Sequence, residues 1–424
     1  MKKTYEMFLE AFKAALHNSS VNWSEEVTGD EWREIFRLAA QHRVLPMVYE
    51  AVYSCPAASA DNSGTVQMQR RAALQTMILQ TQKTSEFLRI YQAMRRAGAH
   101  PIVVKGIICR SYYPKPDLRY SGDEDILVPS EEFLVCHRVL KEVGMAVSDT
   151  DLNIETAYEV SYEKQGSPIY IELHKSLFSP EEVYGDLNRY FTKVHSHREE
   201  LVVEGVNLYT MQPTEYLFYL ICHAFKHFLH SGVGIRQVAD IALYANARGA
   251  EIDWDTIRMY LREMRADRFA LALMRIGEQY LTLDVKAACL PQEWLESDVD
   301  ETAMLMDILA GGVYGDATMS RKHSSTITLH AMTADKKGKK SGGKGLVARS
   351  IFPPLREMQS RFPWLEKAPV LLPVGWALRI LRYRKEIAAG SKSNTAAEAM
   401  RIGKERIELL REYGVLEVGK GGQP

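Results

Sequence analysis

The chain has 424 residues, of which 46% are hydrophobic and 25% are charged, a composition typical of a soluble globular protein with two or three domains. The formal net charge of −1 argues against a general nucleic-acid-binding protein, because such proteins are usually strongly basic. The five cysteines show no paired spacing, and no stretch reaches the roughly 18 apolar residues of a membrane-spanning helix, so we expect a cytoplasmic protein with reduced thiols.

Residues 1–97 are predicted to be helical. Apolar residues recur at helical spacing from about Thr4 to His17 and again over 65–96, which indicates two amphipathic helices. Thr28 and Glu31 have the spacing of a capping box, which starts another helix. We expect this region to form a structural cap on the sheet that follows. The alternative is that its basic face, including Arg43, contributes to a binding site.

A short apolar strand after residue 98 ends in Lys105 and Gly106. Glycine at such a turn lets the backbone approach a phosphate closely. The next residues, 107–113, are predicted to begin a helix whose N-terminus favours an anion. This segment is therefore predicted to bind phosphate.

Asp123 and Asp125 stand two positions apart and lead into a β-branched, apolar run. In a strand their side chains leave the same face, roughly 7 Å apart, while Glu124 points to the other face. Two like charges placed side by side need a cation or water, because desolvating them together is costly. The pair is predicted to bind divalent metal ions.

Residues 158–174 are predicted to form a β-hairpin whose second strand carries Glu172 and His174 on one face. A third carboxylate brought next to Asp123 and Asp125 is what a two-metal site for phosphoryl or nucleotidyl transfer requires. His174 lies on the same face. Mg²⁺ prefers oxygen ligands, so we expect His174 to hydrogen-bond a carboxylate or to support a ligand indirectly rather than to bind the metal.

Several of these motifs together resemble the uncharacterised bacterial nucleotidyltransferase family of the polymerase-β-like superfamily. The motifs are Lys105-Gly106, Tyr113-Pro114, Arg119, Asp123-x-Asp125-Ile-Leu-Val128 and Glu172-Leu-His174. The resemblance implies an α+β fold with a small mixed β-sheet as the nucleotidyltransferase core, flanked by an N-terminal helical cap and a C-terminal helical domain. It also implies Mg²⁺ (or Mn²⁺), a nucleoside triphosphate substrate, and Asp123, Asp125 and Glu172 as catalytic metal ligands.

The turn that should hold the triphosphate differs from the superfamily pattern. That pattern usually has Gly-Ser or Gly-Gly, whereas this chain has Lys105-Gly106-Ile107, without the hydroxyl. We expect Lys105 to supply the phosphate contact instead, together with the backbone of Gly106. Arg119 is expected to neutralise phosphate charge, because a guanidinium can bind phosphate with two parallel hydrogen bonds.

Residues 211–310 are predicted to form a helical domain that closes the cleft. Its first helix carries His223, His227 and His230 at i, i+4 and i+7, a spacing that is compatible with a zinc site but also with buried, hydrogen-bonded histidines. The resemblance adds a third interpretation. In it, the histidines, with Arg236 and Asp240, line the cleft opposite the acids and contact the triphosphate or the acceptor.

Residues 311–424 are predicted to contain a basic loop and further helices. Residues 338–345 nearly match a Walker A loop, but Gly345 replaces the required Ser or Thr, so we interpret residues 334–345 as a basic loop and not as an ATPase site. The segment 369–385 is apolar and then basic. We expect it to pack as a helix end and not to contact a membrane.

The sequence therefore predicts four regions: 1–97, 98–210 as the catalytic core, 211–310 and 311–424. The function expected from it is metal-dependent transfer of a nucleoside monophosphate from a triphosphate to a small molecule, a protein or an RNA end. Two alternatives stay open. One is an inactive nucleotide-binding or scaffold protein on the same fold, and the other is a toxin that modifies RNA ends.

Overall fold

The computed structural model describes most of the chain. The described residues are 1–230, 232–312, 324–325, 327–329, 331–333, 354–359, 362, 364–389 and 396–417. The predicted basic loop at 334–345 lies outside these ranges.

The N-terminal region is helical, as the sequence predicted. Its helices are α1 (Lys3–Leu16), α2 (Gly29–Gln41), α3 (Leu45–Val52), α4 (Pro56–Ser59) and α5 (Thr65–Arg96). The capping box that starts α2 is confirmed, because Thr28 N–H donates to Glu31 Oε2 at 2.9 Å and Glu31 N–H donates to Thr28 Oγ1 at 3.3 Å. Pro46 lies in the first turn of α3, where its missing N–H has no partner to lose.

The strands form one mixed sheet in the described part of the chain. They are β1 (Ile102–Val103), β2 (Glu124–Leu127), β3 (Ala146–Val147), β4 (Glu159–Glu163), β5 (Tyr170–His174), β6 (Glu199–Val203) and β7 (Val206–Thr210). Their order across the sheet is β3-β4-β5-β2-β1-β7-β6. Strand β2 pairs in parallel with β5 and antiparallel with β1, so the acidic strand lies near the middle of the sheet. With the helices around it, this sheet confirms the predicted α+β fold class.

Two helices lie between the strands in the chain, and further helices follow the last strand. They are α6 (Ile107–Arg110), α7 (Phe133–Glu142), α8 (Pro213–His230), α9 (Ile235–Arg248), α10 (Trp254–Glu263), α11 (Asp267–Tyr280), α12 (Gln292–Leu295) and α13 (Thr302–Gly311). Later helices are Leu355–Gln359, Trp364–Lys367, Leu372–Ala389 and Ala396–Glu412, and 3₁₀ turns occur at Pro116–Leu118, Gly185–Phe191, Gly249–Glu251 and Pro369–Leu371. None of the described helices is both long and apolar enough to cross a membrane.

The chain divides into two compact units. The first comprises Met1–His223, Gly234–Tyr260 and Leu271–Glu301, and the second comprises Ala224–Val233, Leu261–Ala270 and Thr302–Pro424. The first unit contains the whole sheet. The division into four regions that we expected from the sequence stays a prediction.

The second unit has its own buried contacts. Arg406 is 1% exposed and donates to the backbone oxygens of Phe228 and His230, which places a guanidinium at the C-terminal end of α8, where unpaired carbonyls accept it. Tyr413 Oη accepts the Met304 N–H at 3.1 Å. These bonds hold the helix Ala396–Glu412 against the rest of this unit.

Candidate active site

The sheet brings Glu172 directly beside Asp125. Strands β2 and β5 pair in parallel with Asp125 opposite Glu172, and residues opposite one another on paired strands point to the same face. Two positions further along β5, His174 lies on that face as well. One donor atom from each of these three residues lies within 4.8 Å of the others.

The three side chains lie close together, but the distances from His174 to the two carboxylates are longer than those of ordinary hydrogen bonds. His174 Nε2 lies 3.4 Å from Asp125 Oδ1 and 3.8 Å from Glu172 Oε2. Asp125 is 4% exposed and His174 is 5% exposed. In the described part of the chain, Asp125 Oδ2 and both ring nitrogens of His174 are buried without a hydrogen-bond partner. Buried polar atoms are rarely left in this state, so the cluster has the properties of a site for a cation.

The electrostatics of the cluster also favour a cation. Burial and the negative charges of Asp125 and Asp123 raise the pKa of Glu172 to about 9. Burial also opposes ionisation of Asp125, but Lys105 and His174 hold the pKa of that carboxyl below its ordinary value. When the pKa values of two neighbouring acids are pushed apart, the pair carries a single negative charge at any pH between the two values. A divalent cation bound between them would allow both to ionise.

Asp123 lies immediately before β2 and is half-buried. It is not part of the group of three whose donor atoms lie within 4.8 Å. Its charge nevertheless reaches the cluster, because it raises the pKa values of Glu172 and Lys105. The structure thus brings Glu172 and His174 to Asp125, with Asp123 at the edge of the cluster.

Lys105 places a positive charge beside the acidic cluster. Its Nζ lies 3.8 Å from Asp125 Oδ2 and 3.1 Å from His223 Nε2 on α8. Burial disfavours the charged amine, yet Asp125 and Asp123 raise the pKa of Lys105 above its ordinary value. Lys105 therefore stays charged and partly neutralises the acids. His227, further along α8, belongs to the second unit. Within the described residues, the predicted histidine series does not form a metal-binding group.

The turn at Gly106 already holds an anion of the protein itself. Glu124, which is fully buried, accepts the Ile107 N–H at 2.7 Å and pairs with Arg110 Nη1 at 2.6 Å. Gly106 has φ +59°, and a Cβ there would lie 1.9 Å from Glu124 Oε2. The glycine predicted to admit a phosphate thus admits the Glu124 carboxylate.

Alanine at Gly106 should therefore destabilise the protein. We expect Gly106→Ala to cost at least about 2 kcal/mol, because it combines an unfavourable backbone conformation with displacement of a buried ion pair. The matched control is Gly166→Ala, at φ +76° with nothing within 4 Å of the added Cβ, which should cost only about 1 kcal/mol. Thermal denaturation measures both. Equal losses of stability would contradict the role given to Glu124.

Two of the other predicted residues bind one another. Arg119 is 1% exposed and donates to Asp240 through Nε at 2.9 Å and Nη2 at 2.6 Å. Asp240 also accepts from Tyr113 Oη at 2.7 Å. The guanidinium expected to contact phosphate is thus held in an internal, bidentate ion pair. Arg236 donates through Nη1 to the Tyr120 backbone oxygen, while its Nε is buried without a hydrogen-bond partner among the described residues. Its charge interacts with those of Arg119, Asp240 and Asp123.

The sequence did not predict that α5 holds the loop that leads into Asp123. Lys83 is 3% exposed, and its Nζ donates to the backbone oxygens of Ser121, at 3.0 Å, and of Gly122. Gln80 Oε1 accepts the Ser121 N–H at 2.8 Å. These side chains fix the loop that leads into Asp123. The available signal was a set of polar residues, Gln80, Lys83 and Thr84, facing inward from a helix whose other inward residues are apolar.

Removing the Lys83 ammonium should loosen this loop. We expect Lys83→Met to cost about 1–3 kcal/mol, because it leaves two carbonyl groups without their donor. Lys83→Arg should restore part of the stability, since a guanidinium can donate to both oxygens. Lys141→Met, at an exposed position, is the control. Melting temperatures of the variants measure the effect, and a loss no larger than that of the control would contradict it.

A family model described as an uncharacterised nucleotidyltransferase matches residues 28–282. This range covers more than half of the chain and includes every residue of the cluster. The chain belongs to that family. No curated protein and no solved structure matches the chain. The family match confirms the resemblance found in the sequence. At the coarse level, membership of this family supports a transferase.

Proposed function

We propose that the protein transfers a nucleoside monophosphate from a nucleoside triphosphate to an acceptor hydroxyl or phosphate and releases pyrophosphate. The observation that carries this proposal is the pairing of Asp125 with Glu172 across two strands, in which Asp125 is buried, Glu172 is half-buried, and Asp125 Oδ2 has no hydrogen-bond partner among the described residues. Membership of the nucleotidyltransferase family supports the same conclusion. The acceptor is a small molecule, a protein side chain or an RNA end.

Asp123, Asp125 and Glu172 would hold divalent ions, Mg²⁺ or Mn²⁺. The donor set fits such ions, because carboxylate oxygens are the ligands they prefer and Asp125 Oδ2 has no hydrogen-bond partner within the described residues. When bound, the ions lower the pKa of the attacking hydroxyl and stabilise the leaving pyrophosphate. Glu172 is the side chain we assign to accept the proton of the acceptor, since its carboxylate lies within the cluster.

Lys105 and Arg236 are the cations that we assign to the triphosphate. Lys105 Nζ already lies beside Asp125, and a phosphate oxygen near the metal ligands would come within its reach. Arg236 has a buried, unpartnered Nε among the described residues and interacts with Asp123. Arg119 acts indirectly in this proposal, through its ion pair with Asp240 on α9, the helix that also carries Arg236.

The proposed reaction needs no reactant besides the triphosphate and the acceptor. The acceptor oxygen forms a bond to the α-phosphorus, the bond from that phosphorus to the bridging oxygen breaks, and pyrophosphate leaves with the electron pair. When the acceptor is a hydroxyl, its proton passes to Glu172; an ionised phosphate acceptor has no proton to give up. In this proposal, negative charge that develops on the triphosphate is stabilised by Lys105 and Arg236.

Turnover with a panel of substrates tests the proposal. The full-length protein is incubated with each labelled triphosphate, Mg²⁺ or Mn²⁺, and candidate acceptors from the three classes. We expect pyrophosphate release that stops when a chelator is added and resumes when the metal is restored. Release that continues unchanged in the chelator would contradict the metal-dependent mechanism.

One observation favours the inactive alternative. The Ile107 N–H, a donor of the predicted phosphate-binding turn, is used by Glu124, and this leaves fewer backbone donors for a triphosphate. A nucleotide-binding or scaffold protein on this fold would bind a triphosphate tightly. It would release no pyrophosphate with any acceptor, whichever metal is present.

A further inference from the structure

The two nitrogens of His174 face carboxylates on opposite sides of the ring. Nε2 faces Asp125 and Glu172, at 3.4 and 3.8 Å. Nδ1 lies 3.5 Å from Glu159 Oε2, on the neighbouring strand β4, where Glu159 stands directly opposite His174. The ring is thus placed between the metal-binding carboxylates and a separate carboxylate behind it.

This arrangement is the one that proteins use to bind a metal through histidine. A ligating imidazole usually donates its second N–H to a carboxylate, which fixes its tautomer and orientation. Glu159 stands in the position of that carboxylate. The other nitrogen faces the same point as Asp125 and Glu172, so the three donors converge.

The distances agree with a shared ion. Donors bound to one ion at about 2.1 Å lie roughly 3–4 Å apart, depending on the angle between them. The separations from Nε2 to the two carboxylates, 3.4 and 3.8 Å, fall in this range. In addition, neither nitrogen of this 5% exposed ring has a hydrogen-bond partner within the described residues. A histidine that only supported the fold would be expected to have one.

We propose that His174 binds the metal ion directly through Nε2, oriented by Glu159, and that the ion is a first-row transition metal such as Mn²⁺ in preference to Mg²⁺. A mixed set of one imidazole and two carboxylates suits such metals, whereas Mg²⁺ demands oxygen ligands. The inference rests on the proposed function for the use that is made of the ion. Its binding, however, is measurable without any nucleotide.

Metal binding to the chelator-treated, full-length protein tests the proposal. Mn²⁺ is titrated and the free ion is followed by electron paramagnetic resonance, with Mg²⁺ measured by competition. We expect Mn²⁺ to bind at least about tenfold more tightly than Mg²⁺. Pulsed measurements on the bound Mn²⁺ should show the modulation of a directly coordinated nitrogen. A Mn²⁺ site without a coordinated nitrogen in the unmodified protein would overturn the proposal, and this readout needs no variant to fold.

Variants separate the two roles. His174→Gln should weaken Mn²⁺ binding at least about tenfold and abolish the nitrogen signal, while Mg²⁺ binding changes much less. Glu159→Gln should weaken Mn²⁺ binding about 10–100-fold but keep the nitrogen signal, as expected of a residue that orients a ligand. His197→Gln, at an exposed position, is the matched control. Equal losses of Mn²⁺ and Mg²⁺ binding in His174→Gln would overturn the proposed selectivity.

The outcomes also distinguish this inference from the proposed function. If the bound Mn²⁺ shows a coordinated nitrogen but no pyrophosphate is released, the metal site is supported and the proposed transferase activity is contradicted. If Mg²⁺ supports turnover equally in His174→Gln and in the unmodified protein, the transferase activity is supported and the role of His174 as a metal ligand is contradicted.

Discussion

We expect Asp125→Asn to reduce pyrophosphate release by about three orders of magnitude with the triphosphate and acceptor that support turnover. Asp125 lies between the other members of the cluster, since its carboxylate is 3.4 Å from His174 Nε2 and 3.8 Å from Lys105 Nζ and it pairs with Glu172 across the strands. Asparagine keeps the size of the side chain but removes its charge, and a neutral amide is a poor ligand for a divalent ion in the presence of water.

The same variant should bind the metal more weakly in the absence of nucleotide. This measurement shows whether the variant loses activity because a metal ligand is missing or because the substrate is bound in the wrong position. Asp151→Asn is the matched control, because it makes the same chemical change at an exposed loop position. Its rate should stay within about twofold of the unmodified protein, since surface changes away from a site have small effects. Equal rates in Asp125→Asn and the control would remove Asp125 from the reaction.

The face of the strand on which each acidic side chain lies could be predicted from the sequence, because successive side chains of a strand alternate between its two faces. The alternation around Glu172 assigns Glu172 and His174 to one side of β5, and the structure agrees. That β5 would lie next to β2, and in parallel, does not follow from periodicity. It depends on long-range packing. The family resemblance implied that the third acid lies on a neighbouring strand, but not that the two strands run in parallel.

The partners of individual charged residues could not be predicted in this way. Arg119 has the chemistry to bind phosphate, but its partner is Asp240, 121 positions later in the chain. Gly106 has the freedom that a phosphate turn needs, but Glu124 occupies the turn. Residue type determines which partners are possible, and only the fold selects among them. A buried charge takes the nearest opposite charge, because leaving it unpaired is costly.

The ends of α5, by contrast, could be predicted from the sequence. The helix runs over Thr65–Arg96, as the sequence predicted, because its ends are marked locally by Gly64 and Gly98, both at positive φ. Helix ends are determined by residues within a turn or two. The function of Lys83 inside this helix could not be inferred so directly, because its acceptors belong to a loop 38 residues away.

The second large effect that we expect concerns the pH dependence of stability. The pKa of Glu172 is raised from 4.5 to about 9 in the folded protein by burial and by the charges of Asp125 and Asp123. Between these values the folded protein retains a proton that the unfolded chain has lost. The free energy of unfolding therefore falls as pH rises through this window, by up to about 1.4 kcal/mol per pH unit. Asp125 has a lowered pKa and acts with the opposite sign, but only in acid below its ordinary value of 3.8.

Glu172→Gln removes this titration, so the variant should become progressively more stable than the unmodified protein from pH 5 to pH 9 in the presence of a chelator. The difference in melting temperature between the two proteins isolates Glu172, because their other groups titrate in common. Glu163→Gln, at an exposed position on β4, should show no such trend. Added Mn²⁺ should raise the melting temperature of the unmodified protein most at high pH, since binding requires the ionised carboxylate. A difference between Glu172→Gln and the unmodified protein that does not change with pH would mean that Glu172 is already ionised without metal. The acidic cluster would then not depend on a bound cation for its charge balance.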